Sequence, residues 1–196
     1  GTLSLTDSTI SGNSASDDDG GGIFNRGTLS LTDSTISGNS ASDDGGGIFN
    51  NGTLSQTNST ISGNFAGDGG GIANSGTLSH TNSTISGNSA TDLGGGIFNF
   101  GTLSHTNSTI SGNSASNGGG INNRSRGTLS LTNSTISGNS ATDLGGGIVN
   151  KFSANLSLTN STISDNSASN GGGIYNGATL SLANSIIAND NGGDIR

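Results

Sequence analysis

The chain has 196 residues, 27% of them hydrophobic, with 37 Gly and with no Pro, Cys, Met or Trp. Thirteen acids, all of them Asp, outnumber five Lys and Arg, which gives a formal net charge of −8. Without a cationic stripe, nucleic acid is not an expected partner. Without Cys there is no disulfide framework, and no apolar run is long enough for a membrane span in this segment.

The sequence repeats with a period of 24 to 27 residues, although its bulk composition alone is typical of a disordered chain. The period is the stronger signal, because stacked repeats cover one another and a solenoid needs only a thin apolar core. The repeats start at the segment GTLS or its equivalent, at Gly1, Gly27, Gly52, Gly76, Gly101, Gly127, Ala154 and Ala178.

The first part of each repeat predicts two short strands. In the first repeat, Leu3 and Leu5 lie on one side of a strand, because side chains alternate along it. The step from Leu5 to Ile10 breaks that alternation, so we expect a corner near Asp7–Ser8 and a second strand around Ile10. The scarcity of helix formers argues against helices.

The second part of each repeat predicts a turn, a loop and a third strand. A second corner belongs at Gly12–Asn13, an Asp-rich loop with three Gly makes the third connection, and Ile23 supplies another interior residue. No Lys follows the Gly run, so we interpret it as close approach between coils rather than as a phosphate loop. The predicted fold class is all-β: a right-handed parallel β-helix of about eight coils, each with three short strands.

Equivalent residues of successive coils should stack about 4.8 Å apart, so that eight coils span roughly 38 Å. Isoleucine then forms an interior column at Ile10, Ile36, Ile61, Ile85, Ile110, Ile136 and Ile163. Two asparagine ladders are predicted, in which each side-chain amide bonds to the next coil. The first contains Asn13, Asn39, Asn64, Asn88, Asn113, Asn139 and Asn166, and the second Asn25, Asn50, Asn74, Asn99, Asn123, Asn150 and Asn176.

Two short elements, GGGI and STISGN, carry a resemblance to known repeats. They resemble the repeats of the polymorphic outer-membrane proteins, which have a Gly-Gly-Ala-Ile-like element and a Phe-x-x-N element; Ile10-Ser11-Gly12-Asn13 stands in the place of the latter. The segment GGGIYNGATLSLANSIIAND is similar to the ends of repeat arrays in choice-of-anchor secreted bacterial proteins. The resemblance covers essentially the whole chain and implies a β-helix that is secreted or at the cell surface of a bacterium.

We expect a single β-helix domain over residues 1–196. Because the chain lacks an initiating Met and starts and stops on the repeat, we expect a segment of a longer protein or a filament subunit. Unpaired strand edges at the end coils would accept further coils or copies of the chain, end to end.

The Asp-rich loops are one candidate site, because carboxylates are ligands that Ca²⁺ prefers. Stacking would bring together Asp17, Asp18, Asp19, Asp43, Asp44 and Asp68. The favoured alternative is a solvated acidic edge that prevents aggregation. Cleavage of a polysaccharide would need two carboxylates at a fixed separation, whereas these lie in a loop of variable length. We therefore expect no catalytic residue and no cofactor.

Three polar residues, Gln56, His80 and His105, replace the second Leu of the repeat in consecutive coils. Two His one coil apart could share a metal ion, but two ligands make a weak site. The favoured interpretation places this position near the edge of the coil, where polar groups bond along the stack.

The residue after the Ile of the third strand is often aromatic and should face outward. It gives a candidate contact surface at Phe24, Phe49, Phe98 and Tyr175. An exposed aromatic stripe often marks a binding face, and stacking of rings along the solenoid is an equally good explanation.

An outward column of Thr is the last candidate, with a spacing typical of ice-binding solenoids. It contains Thr9, Thr35, Thr60, Thr84, Thr109, Thr135 and Thr162. The favoured alternative is that Thr simply suits exposed strands, because Ser shares the same faces.

These features predict a non-enzymatic structural or adhesive solenoid that forms a rigid stalk or fibre at the bacterial cell surface. The expected partners are copies of itself or further coils, glycans, or a host surface. An ice-binding solenoid and a polysaccharide-binding or -processing β-helix remain as alternatives.

Overall fold

The computed structural model describes all 196 residues as an all-β solenoid without a helix. Its strands form four sheets, in which each strand pairs in parallel with the equivalent strand of the next coil. The order of strands in each sheet follows the chain, so the expected parallel β-helix is confirmed. No helix capable of crossing a membrane is present.

The first two sheets each contain eight strands and provide most of the regular surface. Sheet 1 consists of Thr2–Thr6, Thr28–Thr32, Thr53–Thr57, Thr77–Thr81, Thr102–Thr106, Thr128–Thr132, Asn155–Thr159 and Thr179–Ala183. Sheet 2 consists of Thr9–Ser11, Thr35–Ser37, Thr60–Ser62, Thr84–Ser86, Thr109–Ser111, Thr135–Ser137, Thr162–Ser164 and Ile186–Ala188.

The other two sheets complete each coil. Sheet 3 consists of Ser14–Ala15, Ser40–Ala41, Phe65–Asp68, Ser89–Leu93, Ser114–Asn117 and Ser140–Leu144. Sheet 4 consists of Ile23–Asn25, Ile48–Asn50, Ile72–Asn74, Ile97–Asn99, Ile121–Asn123, Ile148–Asn150 and Ile174–Asn176.

The expectation of three strands per coil is wrong for most coils, because sheet 3 adds a fourth. The segment after the Gly12–Asn13 corner, which we assigned to a loop, pairs with the next coil from Ser14 onward. Its one inward side chain is the small Ala, as at Ala66, which is fully buried. The variable length of this segment produces irregular register, with a shift between Ala66 and Asp68. A strand with one small inward residue gives little hydrophobic alternation, so the pattern did not reveal it.

The interior is one continuous column of Leu and Ile. Twenty-one buried residues form the core cluster, and strand pairing places Leu78 opposite Leu103 and Ile85 opposite Ile110. Burying each such side chain contributes about 1.5–3 kcal/mol, so a thin core suffices when every coil covers the next. At the end coils the same columns open, and Leu3 and Leu182 are 47% and 46% exposed.

The corner between sheets 1 and 2 depends on backbone that Asp and Asn tolerate. The residue at this corner has a φ near +50° in every coil, at Asp7, Asp33, Asn58, Asn82, Asn107, Asn133, Asn160 and Asn184. The Ser that follows closes the turn: the Ser34 hydroxyl donates to the Thr32 carbonyl at 2.8 Å and accepts from the Ser8 amide at 3.1 Å. The predicted corner at Asp7–Ser8 is therefore confirmed.

Both predicted Asn ladders are present, and all their residues except Asn13 and Asn176 at the ends are buried. In the first, the Asn64 side-chain amide donates to Asn88 Oδ1 at 2.9 Å, and Asn88 donates in turn to Asn113 at 3.0 Å. In the second, Asn50 donates to Asn74 at 2.7 Å. At the C-terminal end of the first ladder Asp190 takes the place of Asn and accepts from Asn166 at 3.0 Å.

The three Gly of the repeat lie where coils approach each other most closely. A Cβ on Gly46, the central Gly of its run, would lie 2.3 Å from the Phe65 carbonyl oxygen and 2.5 Å from that of Gly70. Gly45, the first of the run, has a φ of +70°. The steric interpretation of the Gly run is therefore confirmed.

Candidate functional site

The acidic loops come together along one edge of the solenoid. Asp19, Asp43, Asp44, Asp68 and Asp92 line an open cavity of about 440 Å³ that has no apolar residue in its wall. The Asp44 amide donates to Asp19 at 3.1 Å, and the Leu93 amide donates to Asp68 at 2.9 Å. Asp17 and Asp18, also named for calcium, are exposed and lie outside this wall.

Partial burial, with repulsion between the carboxylates added to it, makes this edge sensitive to protonation. Partial burial raises the pKa of Asp44 to about 6, and the charges of Asp68, Asp19 and Asp43 add to the shift. Burial also raises the pKa of Asp68 and of Asp19. No group of three or more His, Cys, Asp or Glu is arranged to hold a metal ion, and calcium binding stays a prediction.

Gln56, His80 and His105 lie inside the core, so the expectation that their position is near the coil edge is wrong. All three are 0% exposed, because the position points inward in sheet 1, in line with Leu31 and Leu131. Gln56 and His80 share one hydrogen bond, with Oε1 3.1 Å from Nδ1. The imidazole rings of His80 and His105 stack at 4.7 Å, nearly parallel at 4°.

Burial of these rings keeps them neutral. It lowers the pKa of His80 to about 4 and lowers the pKa of His105 well below the usual value, with the neighbouring His80 adding to the second shift. Four polar atoms of the column have no hydrogen-bond partner: Gln56 Nε2, His80 Nε2, His105 Nδ1 and His105 Nε2. The expected bonding along the stack is thus present at only one step.

The aromatic stripe is exposed only at its N-terminal end. Phe24 is 38% exposed and stacks on Phe49, with ring centroids 5.0 Å apart. Phe98, in contrast, is 9% exposed and packs against Phe100, while Tyr175 is half-buried. Residues after the inward Ile do face away from the core, but neighbouring side chains cover the middle of the stripe. A role in contact stays a prediction.

The Thr column of sheet 2 is in register throughout. Thr84 lies opposite Thr60 and Thr109, and Ser86 lies opposite Ser62 and Ser111 on the same strands. Thr9 is exposed and the other six Thr of the column are half-buried. The geometry therefore provides a regular outward Thr and Ser surface, and ice binding stays a prediction.

One cluster was not predicted from the sequence, and it forms where the repeat is interrupted. Between sheet 4 and sheet 1 the connection has two residues in most coils but four at 124–127 and 151–154. A cleft of about 160 Å³ beside these insertions is lined by Leu93, Asn117, Asn122, Arg124, Leu144, Val149, Lys151 and Phe152. The signal was visible in the sequence, because three of the five cations, Arg124, Arg126 and Lys151, fall within these two insertions.

Comparison with known families finds five copies of the Chlamydia polymorphic membrane protein repeat in the chain. The matched segments are residues 7–26, 33–51, 82–99, 133–151 and 160–177, just under half of the chain. Each segment runs from the first corner of a coil to sheet 4 or just beyond it. No curated protein and no solved structure matches the chain significantly. The resemblance to polymorphic outer-membrane protein repeats is therefore confirmed, and the similarity to choice-of-anchor arrays stays a prediction.

Proposed function

Because the chain carries polymorphic membrane protein repeats wound into a parallel β-solenoid, we propose that it serves as a rigid stalk or adhesive segment at a bacterial cell surface. The main support for this proposal is the unbroken register of sheets 1 and 2 through eight coils. Such a stack is stiff along its axis, since each coil is fixed by backbone hydrogen bonds and by two Asn ladders. This role requires no catalysis, and copies of the chain or further coils would extend it.

The open end coils support the part of the proposal that concerns extension. Leu3 at one end and Leu182 at the other are 47% and 46% exposed, whereas their counterparts in the neighbouring coils, Leu29 and Leu158, are buried. A further coil of the same design would cover them and pair with the free strand edge. The same surfaces fit a second copy of the chain.

Imaging of the purified chain tests the proposal. We expect straight rods of roughly 38 Å, the height of eight coils, and multiples of that length at higher concentration. Leu182→Asp should abolish the multiples, whereas Ser181→Asp, one residue away on the same exposed strand, should leave them. Flexible or globular particles would contradict the rigid stalk. If beads coated with the rods bind to no cell surface, the chain is a rigid spacer and the adhesive part of the proposal is wrong.

A second candidate function, ice binding, is favoured by one observation, the in-register Thr column of sheet 2. Thermal hysteresis measures it directly. Thr84→Lys and Thr109→Lys should reduce hysteresis, while Asp92→Lys on the acidic edge should not. Hysteresis no greater than that of an unrelated protein would remove this candidate.

A further inference from the structure

The two insertions lie side by side in consecutive coils and share a strained backbone. The Arg126 amide donates to the Phe152 carbonyl at 3.2 Å, which ties one insertion to the other. Both contain two successive non-glycine residues with positive φ: Ser125 at 56° and Arg126 at 71°, then Phe152 at 58° and Ser153 at 62°. Each such residue costs about 1–2 kcal/mol, and strain of this kind is concentrated at functional sites.

Core burial does not explain this strain. Phe152 is 58% exposed, and Ser125, Arg126 and Ser153 are exposed as well. The other left-handed non-glycine residues of the chain are all Asp or Asn. The insertions thus hold a large aromatic side chain at the surface, in a conformation that it disfavours, beside three cations.

The cationic groups of this cluster rest on aromatic rings. The Arg124 guanidinium lies 4.8 Å from the centroid of the Phe152 ring, and the Lys151 ammonium lies 4.6 Å from that of Tyr175. These contacts orient both charges beside the cleft and leave their hydrogen-bond donors available. In a chain of net charge −8, this concentration of positive charge fits an anion.

The cleft also contains an acceptor without a donor. Asn122 is 2% exposed and lines the cleft. Its Nδ2 donates to the Asn117 carbonyl at 3.2 Å, whereas its Oδ1 has no partner. A buried carbonyl oxygen without a donor is costly, so a bound hydroxyl or N–H at this point would be stabilised. Leu93, Leu144 and Val149 supply apolar wall around it.

From these groups we propose that the cleft binds a carboxylate-bearing sugar residue of an acidic glycan. Arg124 and Lys151 would pair with the carboxylate, Asn122 Oδ1 would accept from a ring hydroxyl, and the exposed Phe152 ring would cover the C–H face. A volume of about 160 Å³ is below the roughly 300–1,000 Å³ of pockets that enclose whole ligands, so the site takes one residue of a longer glycan. Sugars carry several donors beside the carboxylate, which favours them over an acidic peptide. This site goes beyond the structural role and does not depend on it.

Titration calorimetry at low and physiological salt tests the site with an oligogalacturonate and with its methyl ester, which lacks the charge. The oligogalacturonate should bind, and its methyl ester should bind at least tenfold more weakly. Added salt should lower the affinity for the oligogalacturonate. Lys151→Gln and Arg124→Gln should each lower affinity by about tenfold or more. Arg26→Gln is the matched control, because Arg26 also rests on an aromatic ring, Phe24, but in a coil without an insertion.

Asn122→Val tests the orphan acceptor. Val occupies the equivalent position in the next coil, at Val149, so the variant should fold, which circular dichroism checks, and should bind the acid several-fold more weakly. Equal binding of the acid and its ester, or equal losses in Arg26→Gln and Lys151→Gln, would overturn the site. A poly-aspartate peptide or a sulfated oligosaccharide that binds as well as the uronate would overturn the assignment to a carboxylate sugar. Rod formation is unaffected by any of these outcomes, so the stalk proposal is tested separately.

Discussion

At the scale of single residues, the polar column of Gln56, His80 and His105 is the main exception to an otherwise apolar core. Leu occupies the same position in the coils on either side, at Leu31 and Leu131. The column leaves four polar atoms without partners, each of which opposes folding by about 1–3 kcal/mol. The fold tolerates this because the remaining coils of the stack are fully apolar at this position.

The His pair should make the solenoid sensitive to acid. The pKa of His80 is about 4 in the folded chain and near 6.5 when unfolded, so the unfolded state takes up protons first as pH falls. His80 alone therefore removes about 2–3 kcal/mol of stability between pH 7 and pH 4.5. We expect the double variant His80→Leu/His105→Leu to be more stable than wild type, with a gap in denaturant midpoint that widens as pH falls.

The control for this experiment is a third His in the column, and the titration of Asp44 changes stability in the opposite direction. Leu131→His extends the polar column and should lower stability and steepen the loss in acid. Asp44 acts in the opposite direction, because its pKa is raised to about 6 and its contribution to stability is therefore present in acid and lost as pH rises through 6. A gap between wild type and the double variant that does not change with pH would contradict the assignment to His.

At the scale of elements, the Asn ladders fix the corners of every coil. Asn88 is buried, and its Oδ1 accepts from both the backbone amide and the side-chain amide of Asn64. Its Nδ2 donates to the Ile61 carbonyl and to Asn113 Oδ1. The ladder thus joins three successive coils at one residue. In this ladder the backbone amide of each Asn donates to the side chain of the next Asn, as Asn64 does to Asn88 and Asn88 does to Asn113.

We expect Asn88→Ala to destabilise the chain by about 2–4 kcal/mol, because the change leaves buried donors and acceptors of three coils without partners. Asn13→Ala is the control at the exposed end of the same ladder, where the side chain bonds to Ser11 and to Asn39, and it should cost less than half as much. Chemical denaturation of both variants measures the difference. Equal losses would show that the ladder contributes no more inside the stack than at its end.

The elements also show how far the sequence could be interpreted. Period alone located the Leu, Ile and Asn columns and both corners, because identical residues one coil apart have to coincide. It did not reveal the strands of sheet 3, whose only inward residue is Ala. It also misplaced His80: polar residues in this column suggested a position near the edge of the coil, whereas the side chain is fully buried. The cleft at Arg124 and Lys151 is formed by two insertions in different coils. Only the structure shows that these two insertions contact each other.

At the scale of the whole molecule, the solenoid is a series of equivalent interfaces. Deletion of residues 76–100, one complete coil, joins Ser75 to Gly101 and restores the usual connection between sheets 4 and 1. It places Leu54 beside Leu103 and Ile61 beside Ile110, which preserves every column. We expect this variant to stay folded and to be shorter by about 4.8 Å, as measured by circular dichroism and X-ray scattering.

Deletion of residues 76–87 is the control, because it removes half a coil and puts corners over strands. It should be unfolded or readily digested by protease. Folding of both deletions would contradict the dependence on register, and unfolding of both would show that the coil removed has a special role.

The ladders between coils have a mechanical consequence. Their hydrogen bonds lie along the solenoid axis, so tension applied between the two ends loads the outermost coil first and the coils detach one after another. Each detached coil of 24 to 27 residues would release roughly 80 Å of extended chain. A solenoid built in this way is stiff under bending and compression, yet under a pulling force it lengthens stepwise and dissipates work before it breaks.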